Sequence, residues 1–290
     1  MRRLALGVFS LALFCVAFAA VASSRSRQAE ASMLVTGTIV VAPDGSVRSY
    51  ALDHAKNLPV PVVDLINKGI PAWRFEPTLL DGQPVAAKAK MSLRVVAQPQ
   101  NNGDYAISIS GAQFNQGNGV DDVADAYIKR TPLPVYPGFA IREHLSGSVY
   151  LLLRVNRQGK VIDGFAEKVN LDTNPQAIPP EGVLNKGREV LAKASLDAVL
   201  KWTFNMSTSE ANSKDDYQYA RVPINFYLDS LVPSPARSYG EWVTYMPGPI
   251  QQAPWGEKSK LASNNVDAIP EGSVSLADEG LHLITPLGGS

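Results

Sequence analysis

The stretch between residues 134 and 228 limits most strongly how this chain can fold. It contains a strand that begins at Gly147 and places every second residue on one face, namely Val149, Leu151, Leu153 and Val155. Such alternation is typical of a strand with one buried face. A polar turn over 156–159 and a second apolar run from Val161 come next. The pattern therefore predicts a β-hairpin.

A helix and a final strand complete this stretch. Apolar residues recur at helical spacing between about Leu184 and Trp202, which predicts a helix that covers the sheet. The strand from Tyr219 to Leu228 contains Pro223. Because proline cannot donate a hydrogen bond to a ladder, we predict that this strand lies at an edge or has one side free. An edge strand can accept a partner strand through its backbone.

An earlier segment, residues 33–97, shows the same order of elements. The Asp44-Gly45 pair lies between two β-rich runs and predicts a hairpin, since glycine accepts the positive φ that such a turn needs. Apolar residues that begin at Val62 predict a helix, which ends or kinks at Pro71. A last strand is predicted with one buried face, because Met91, Leu93 and Val95 alternate with Ser92, Arg94 and Val96.

Both segments carry a W-x-F motif where the predicted helix ends, at Trp73–Phe75 and at Trp202–Phe204. We interpret Trp202 and Phe204 as anchors of the core, since aromatic residues at such junctions usually pack inward. The shared order predicts a tandem repeat of one β-β-α-β unit.

These motifs resemble the C-terminal domain of the TonB family. The family pattern has a P-x-Y-P opening, a strand led by glycine, a G-x-V turn, a helix that ends in W-x-F and a last strand V-x-I-x-F. Here the motifs stand at Pro134–Pro137, Gly147–Asp163, Trp202–Phe204 and Val222–Phe226. The earlier segment matches through Trp73–Val85 but lacks the P-x-Y-P opening.

The resemblance implies an α+β fold of two small β-β-α-β units, each an antiparallel sheet packed on a helix, plus an extended tail rich in proline and glycine. We divide the chain into a signal peptide or membrane anchor (1–22), a degenerate TonB-like domain (33–97), a connector (98–131), a TonB C-terminal-like domain (132–230) and the tail (231–290). The tail contains Trp242, Tyr245 and Trp255, so we expect part of it to pack on the folded units.

The family's domain binds a receptor strand at the edge of its sheet. By position, the matching edge here is Val222, Ile224, Asn225 and Phe226. The resemblance implies a periplasmic protein-protein interaction module of a Gram-negative cell envelope, linked to outer-membrane transport. Its expected partner is an envelope protein, such as an outer-membrane receptor, or a second copy of the chain.

Two other functions stay open. One is an energy transducer anchored in the inner membrane, although the chain lacks the family's long proline-rich spacer and residues 4–22 contain no histidine. The other is an envelope enzyme. The sequence contains no G-x-S-x-G elbow, P-loop or H-E-x-x-H motif, so we predict no enzymatic activity and no cofactor.

The N-terminus carries an export signal. Two arginines, Arg2 and Arg3, precede an apolar run over 4–22 that ends in Ala20-Val21-Ala22. A small-x-small site after such a run predicts a signal peptide cleaved after Ala22 and hence a periplasmic location. The alternative is an uncleaved inner-membrane anchor, because the run is just long enough to span a bilayer.

Composition excludes further classes. The 290 residues include 27 Lys plus Arg and 27 Asp plus Glu without a basic stripe, so no nucleic-acid partner is expected. The single cysteine, Cys15, lies in the predicted signal peptide, which leaves no disulfide. The histidines His54, His144 and His282 are scattered, so no histidine-based metal site is predicted.

Overall fold

The structure, a computed structural model, describes residues 28–115, 128–130, 132–174, 176–205, 216–228, 239–255, 266–276 and 280–287. The predicted signal peptide lies outside these ranges. The described part is rich in strands, has few helices and pairs its strands antiparallel, which is compatible with an α+β fold. None of its helices combines the length and apolar character that crossing a membrane requires.

The strands are β1 (Glu30–Val41), β2 (Val47–Leu52), β3 (Thr78–Leu80), β4 (Gln83–Val85), β5 (Ala87–Pro99), β6 (Tyr105–Asn115), β7 (Ile128–Arg130), β8 (Gly147–Asn156), β9 (Val161–Asp172), β10 (Thr203–Phe204), β11 (Tyr217–Phe226), β12 (Val243–Met246) and β13 (Ser275–Leu276). The helices are α1 (Val60–Gly69), α2 (Gly138–Arg142) and α3 (Glu181–Val199).

The first group of elements is β1, β2, α1, β5 and β6. Strand β2 folds back on β1, and β5 returns after the helix to pair with the other side of β1. The predicted hairpin turn is confirmed: Gly45 has a φ of 81°, and a Cβ there would lie 2.1 Å from the carbonyl oxygen of Phe75. Helix α1 ends before Pro71, as predicted, and that proline lies in a short 3-10 turn.

The second group is β8, β9, α3 and β11. Strand β9 folds back on β8, and β11 returns after the helix to pair with the other side of β8. Helix α3 buries Leu184, Leu191 and Val199 against this sheet. The prediction that Trp202 and Phe204 anchor the core is confirmed, because both side chains are buried in the same cluster.

The tail supplies β12, which joins the two groups. Tyr245 pairs with Glu30 of β1 on one side and with Asp172 of β9 on the other. The result is a nine-stranded sheet. Eight strands follow the order β13-β11-β8-β9-β12-β1-β5-β6, and the ninth, β2, pairs with β1. A strand between β9 and β1 satisfies backbone groups on the edges of both. Strand β6, from within the segment assigned to the connector, extends the sheet beyond β5.

The sheet curls until its two halves meet. The hydroxyl of Tyr150 on β8 lies 3.1 Å from Nη2 of Arg94 on β5, although four strand spacings separate these strands. In a flat sheet that separation would be about 19 Å. The faces opposite the helices therefore pack against each other.

This packing shows that the prediction of a single buried face for β5 is wrong. Ser92, Arg94 and Val96 are also buried, like the apolar residues on the opposite face. The reason is that the second group covers them. The arrangement buries polar side chains, which then need hydrogen-bonding partners.

Asp267 of the tail lies where the two inner faces meet. Its carboxylate accepts a hydrogen bond from Nζ of Lys168 at 2.6 Å and one from Nδ2 of Asn170 at 3.2 Å, and both residues belong to β9. Its main-chain carbonyl accepts from Nε and Nη2 of Arg94 on β5, at 2.9 and 2.7 Å. A single tail residue thus connects both groups.

The neighbours of Asp267 keep it ionised. Burial alone would raise the pKa of its carboxyl group, but the charges of Lys168 and Arg94 and the hydrogen bonds from Lys168 and Asn170 outweigh burial and hold that pKa below its ordinary 3.8. Because the Asp267 carboxyl group has a lower pKa in the folded than in the unfolded protein, it stabilises the fold at a pH above the unfolded pKa. This stabilisation is lost as the pH falls through the folded pKa.

We predict that Asp267→Asn lowers the free energy of unfolding at pH 7 by about 3–5 kcal/mol, because it leaves the Lys168 ammonium without its buried counter-charge. Urea unfolding measures this loss. The difference from the wild type should shrink as pH falls below 3.8, where the wild-type carboxylate also loses its contribution.

The matched control is Asp163→Asn. Asp163 lies 3.8 Å from Arg154 in a partly exposed ion pair, and the Asp163 side chain is 42% exposed, so its replacement should cost less than about 1 kcal/mol. An equal cost for both variants at pH 7 would contradict the central role of Asp267.

Candidate functional site

The predicted binding edge lies on β11, at one side of the second group. Strand β11 pairs with β8 along its whole length, from Tyr217 opposite Asn156 to Phe226 opposite Gly147. Its other side is the outer edge, where a partner strand would have to add.

The four residues predicted from the sequence differ in their surroundings. The side chains of Val222, Ile224 and Phe226 are buried in the core beneath α3, whereas Asn225 is half-buried on the opposite face. A partner that adds as a strand would therefore meet the backbone of this segment and the side chain of Asn225. The three apolar side chains hold the strand in place.

Pro223 fixes which backbone groups face outward. Successive residues of a strand direct their N–H and C=O groups to alternate sides, and a proline is tolerated where its missing N–H would point away from the neighbouring strand. Pro223 stands opposite Tyr150 of β8. We infer that Arg221, Pro223 and Asn225 face outward, while Val222 and Ile224 bond to β8.

The outer edge has a strand partner over only part of its described length. Strand β13 of the tail pairs Leu276 with Ala220 and Ser275 with Arg221. Among the described residues, no strand pairs with the outer side of 222–226. Beyond that segment, the hydroxyl of Tyr227 is hydrogen-bonded to Glu271 of the tail.

The first group shows the same edge in a fully paired state. Strand β5 occupies the position in the first group that β11 occupies in the second, and β6 covers its outer edge with ten residue pairs. Among the described residues, the corresponding edge of β11 has two such pairs. An outer strand on this edge therefore fits the architecture that the first group shows.

A buried ion pair supports β11 from the inner face. Arg221 donates to Glu167 of β9 from Nε at 2.7 Å and from Nη2 at 3.0 Å. Both side chains are almost inaccessible to solvent. This two-pronged geometry fixes the guanidinium group and with it the start of the candidate edge.

The P-x-Y-P segment supports the other end of β11. The Tyr136 ring packs edge-on against Phe226 with 5.3 Å between the ring centroids, and its hydroxyl donates to the carbonyl of Leu145 at 2.7 Å. Burial raises the pKa of Tyr136, so the hydroxyl remains protonated at neutral pH. This motif therefore has a structural role beside the candidate edge.

A groove lies beside α3, and the described residues contain no cluster of metal ligands. No group of three or more His, Cys, Asp or Glu side chains there could hold a metal ion. A groove of about 520 Å³ runs between α3, β9 and the tail. Its carboxylates Glu189 and Asp197 form exposed ion pairs with Lys186 and Lys193 on the same helix.

Comparison with known proteins gives a distant relationship to TonB. The chain is 31% identical over 96 residues, 33% of its length, to "Protein TonB" from two strains of Xanthomonas campestris pv. campestris. The chain spans about a third of the length of these curated relatives, 35% in each case. No family model matches the chain, and no solved structure matches it significantly.

Sequence reasoning predicted a binding edge at 222–226 but missed the residues that lie beside it. Ser275 and Leu276 lie about fifty positions after β11, and a two-residue strand has no periodicity to detect. Gln113 and Asn115, which contact Ser275 from β6, belong to a segment that the sequence predicts as part of a connector.

We predict different effects on stability for two adjacent residues of β11. Phe226→Ala should lower the free energy of unfolding by about 3–5 kcal/mol, since it empties a buried aromatic position. Asn225→Ala should change it by less than about 0.5 kcal/mol. Denaturant titration followed by tryptophan fluorescence measures both. Equal costs would mean that the two side chains are not divided between core and edge.

Proposed function

We propose that this chain is a TonB-like protein-interaction module of the cell envelope. It binds its partner by strand addition at the outer edge of β11, with Val222, Ile224, Asn225 and Phe226 as the central segment. Backbone hydrogen bonds would supply affinity, and the side chains of the added strand would supply selectivity. The observation that carries this proposal is the two-residue outer partner of β11, compared with the ten-pair partner of β5.

The two groups support a second part of the proposal, that they are copies of one β-β-α-β unit. Each has a hairpin, a helix and a third strand that pairs with the first strand of the hairpin. Each also buries a W-x-F pair after its helix, at Trp73–Phe75 and Trp202–Phe204. In this interpretation the first copy has a structural role, and the second copy carries the binding edge at β11.

The proposed location is the periplasm. The distant similarity to TonB and the apolar run over 4–22 both favour an envelope protein. The partner would be another envelope protein, such as an outer-membrane receptor, and the chain would act without enzymatic chemistry. The alternative of an inner-membrane-anchored transducer differs in one testable property, the state of its N-terminus.

We expect mass spectrometry of the protein isolated from its native envelope to find Ser23 as the first residue. Cleavage after a small-x-small site gives this result. The retention of residues 1–22 would favour the anchored alternative and would contradict release into the periplasm.

The direct test of binding is a photocrosslinker at Asn225 in the native envelope. Asn225 is half-buried on the inner face, and its backbone faces outward in the proposed arrangement. We expect a discrete adduct with an envelope protein. The matched control is Ser49, an exposed residue of β2, a strand that flanks β1 in the first group, and this position should not give the same adduct.

Two other results can arise at Asn225. An adduct of the chain with itself would indicate self-pairing at the edge. The absence of any adduct, with folded and abundant protein, would contradict strand addition at β11.

A further inference from the structure

The outer edge of β11 already holds a short piece of the chain's own tail. Ser275 pairs with Arg221 and Leu276 with Ala220. A partner strand that binds at Asn225 and continues along β11 would reach Arg221, where Ser275 lies. The partner and the tail therefore compete for the same backbone groups.

The side chains of this tail segment define what the edge accepts. Val274 is buried in the core of the second group, and Leu276 packs against the same cluster. Between them Ser275 is 1% exposed. Its hydroxyl donates to Oδ1 of Asn115 at 3.1 Å and accepts from Nε2 of Gln113 at 2.5 Å. The site thus takes two apolar side chains in alternate positions and a small hydroxyl residue between them.

The chain holds this segment in place from both sides. Before it, Asp267 is fixed by Lys168, Asn170 and Arg94 in the centre of the molecule. After it, the N–H of Leu281 donates to the carbonyl of Phe114 at 3.2 Å. These attachments keep the segment at high local concentration beside the edge. Among the described residues its backbone pairs with β11 at two positions, and its side chains add burial of Val274 and the hydrogen bonds of Ser275. A partner strand would replace these contacts while the attachments on both sides remain.

We propose that Val274–Leu276 is an intramolecular competitor that occupies the partner site of β11. The partner it fits is an extended segment of an envelope protein with an apolar, small hydroxyl, apolar sequence. Binding displaces Val274–Leu276 and continues the added strand past Asn225. This inference rests on the proposed function, since it names the ligand class and the regulation of the same edge.

The probe is a fluorescent synthetic peptide with the chain's own residues 271–276. Leu276→Asp should expel the tail segment, because a carboxylate cannot stay against the apolar cluster. We expect the full chain with Leu276→Asp to bind the peptide about tenfold more tightly than the wild type. The reason is that a larger fraction of the molecules has the β11 edge free of the tail segment and able to bind. A peptide with aspartate in place of Val274 and Leu276 should not bind.

The matched control is Ile284→Asp. Ile284 also lies in the tail, is 60% exposed and contacts the first group through its backbone. This variant should bind the peptide as the wild type does. Equal affinity of the wild type and the Leu276→Asp variant would overturn the proposal.

A second variant avoids the dependence on one substitution. Ala220 and Leu276 are cross-strand neighbours, so cysteines at both positions can form a disulfide that locks the segment in place. In a Cys15→Ser background, peptide binding should vanish in the oxidised protein and return after reduction. Equal binding in both states would also overturn the proposal.

The crosslinker at Asn225 separates this inference from the proposed function. More adduct in the Leu276→Asp chain than in the wild type supports both. Redox-dependent peptide binding without any envelope adduct supports the competitor and contradicts the envelope function. An adduct of unchanged yield in the Leu276→Asp chain supports the edge and contradicts the competitor.

Discussion

The fold depends on a carboxylate, that of Asp267, buried between the two halves of the curled sheet. Asp267 receives hydrogen bonds from Lys168 and Asn170 of the second group, and its carbonyl receives two from Arg94 of the first. A charge in such a position is costly unless its partners are in place, so the correct approach of the two groups and the correct path of the tail are required together. The tail is thereby part of the core. Because Asp267 fixes the path of the tail, it also places Ser275 and Leu276 beside the outer edge of β11.

The sheet also shows how the chain treats its strand edges. Strand β12 fills the gap between β9 and β1, and β6 covers β5. Exposed edges invite pairing with other chains, so proteins usually cover them. Among the described residues, β13 pairs with β11 at only two positions, whereas β6 pairs with β5 at ten. A binding function at β11 would explain this difference. The same edge has a rigid support, because Arg221 fixes one end from the inner face and Tyr136 fixes the other end from the face that α3 covers.

Local patterns predicted the two groups, whereas nothing local predicted how they combine. The Asp44-Gly45 turn, the buried Trp202 and the edge character of a strand with Pro223 all follow from spacing and residue type. The pairing of Tyr245 with Glu30 joins residues more than two hundred positions apart, through a strand of four residues. The burial of Arg94 was also unpredictable, since alternation assigns a charged residue to solvent until the other half of the sheet is known to cover it.

Amide hydrogen exchange at Asn225 and Ile224 tests the central claim most directly, because the two residues are adjacent and differ in the side they face. The claim is that the outer edge of β11 stays available beyond β13. It predicts fast exchange at the Asn225 amide, which faces outward, and slow exchange at the Ile224 amide, which bonds to β8. If the Asn225 amide is protected as strongly as that of Ile224 in the isolated chain, the edge is already covered and cannot be the open binding surface.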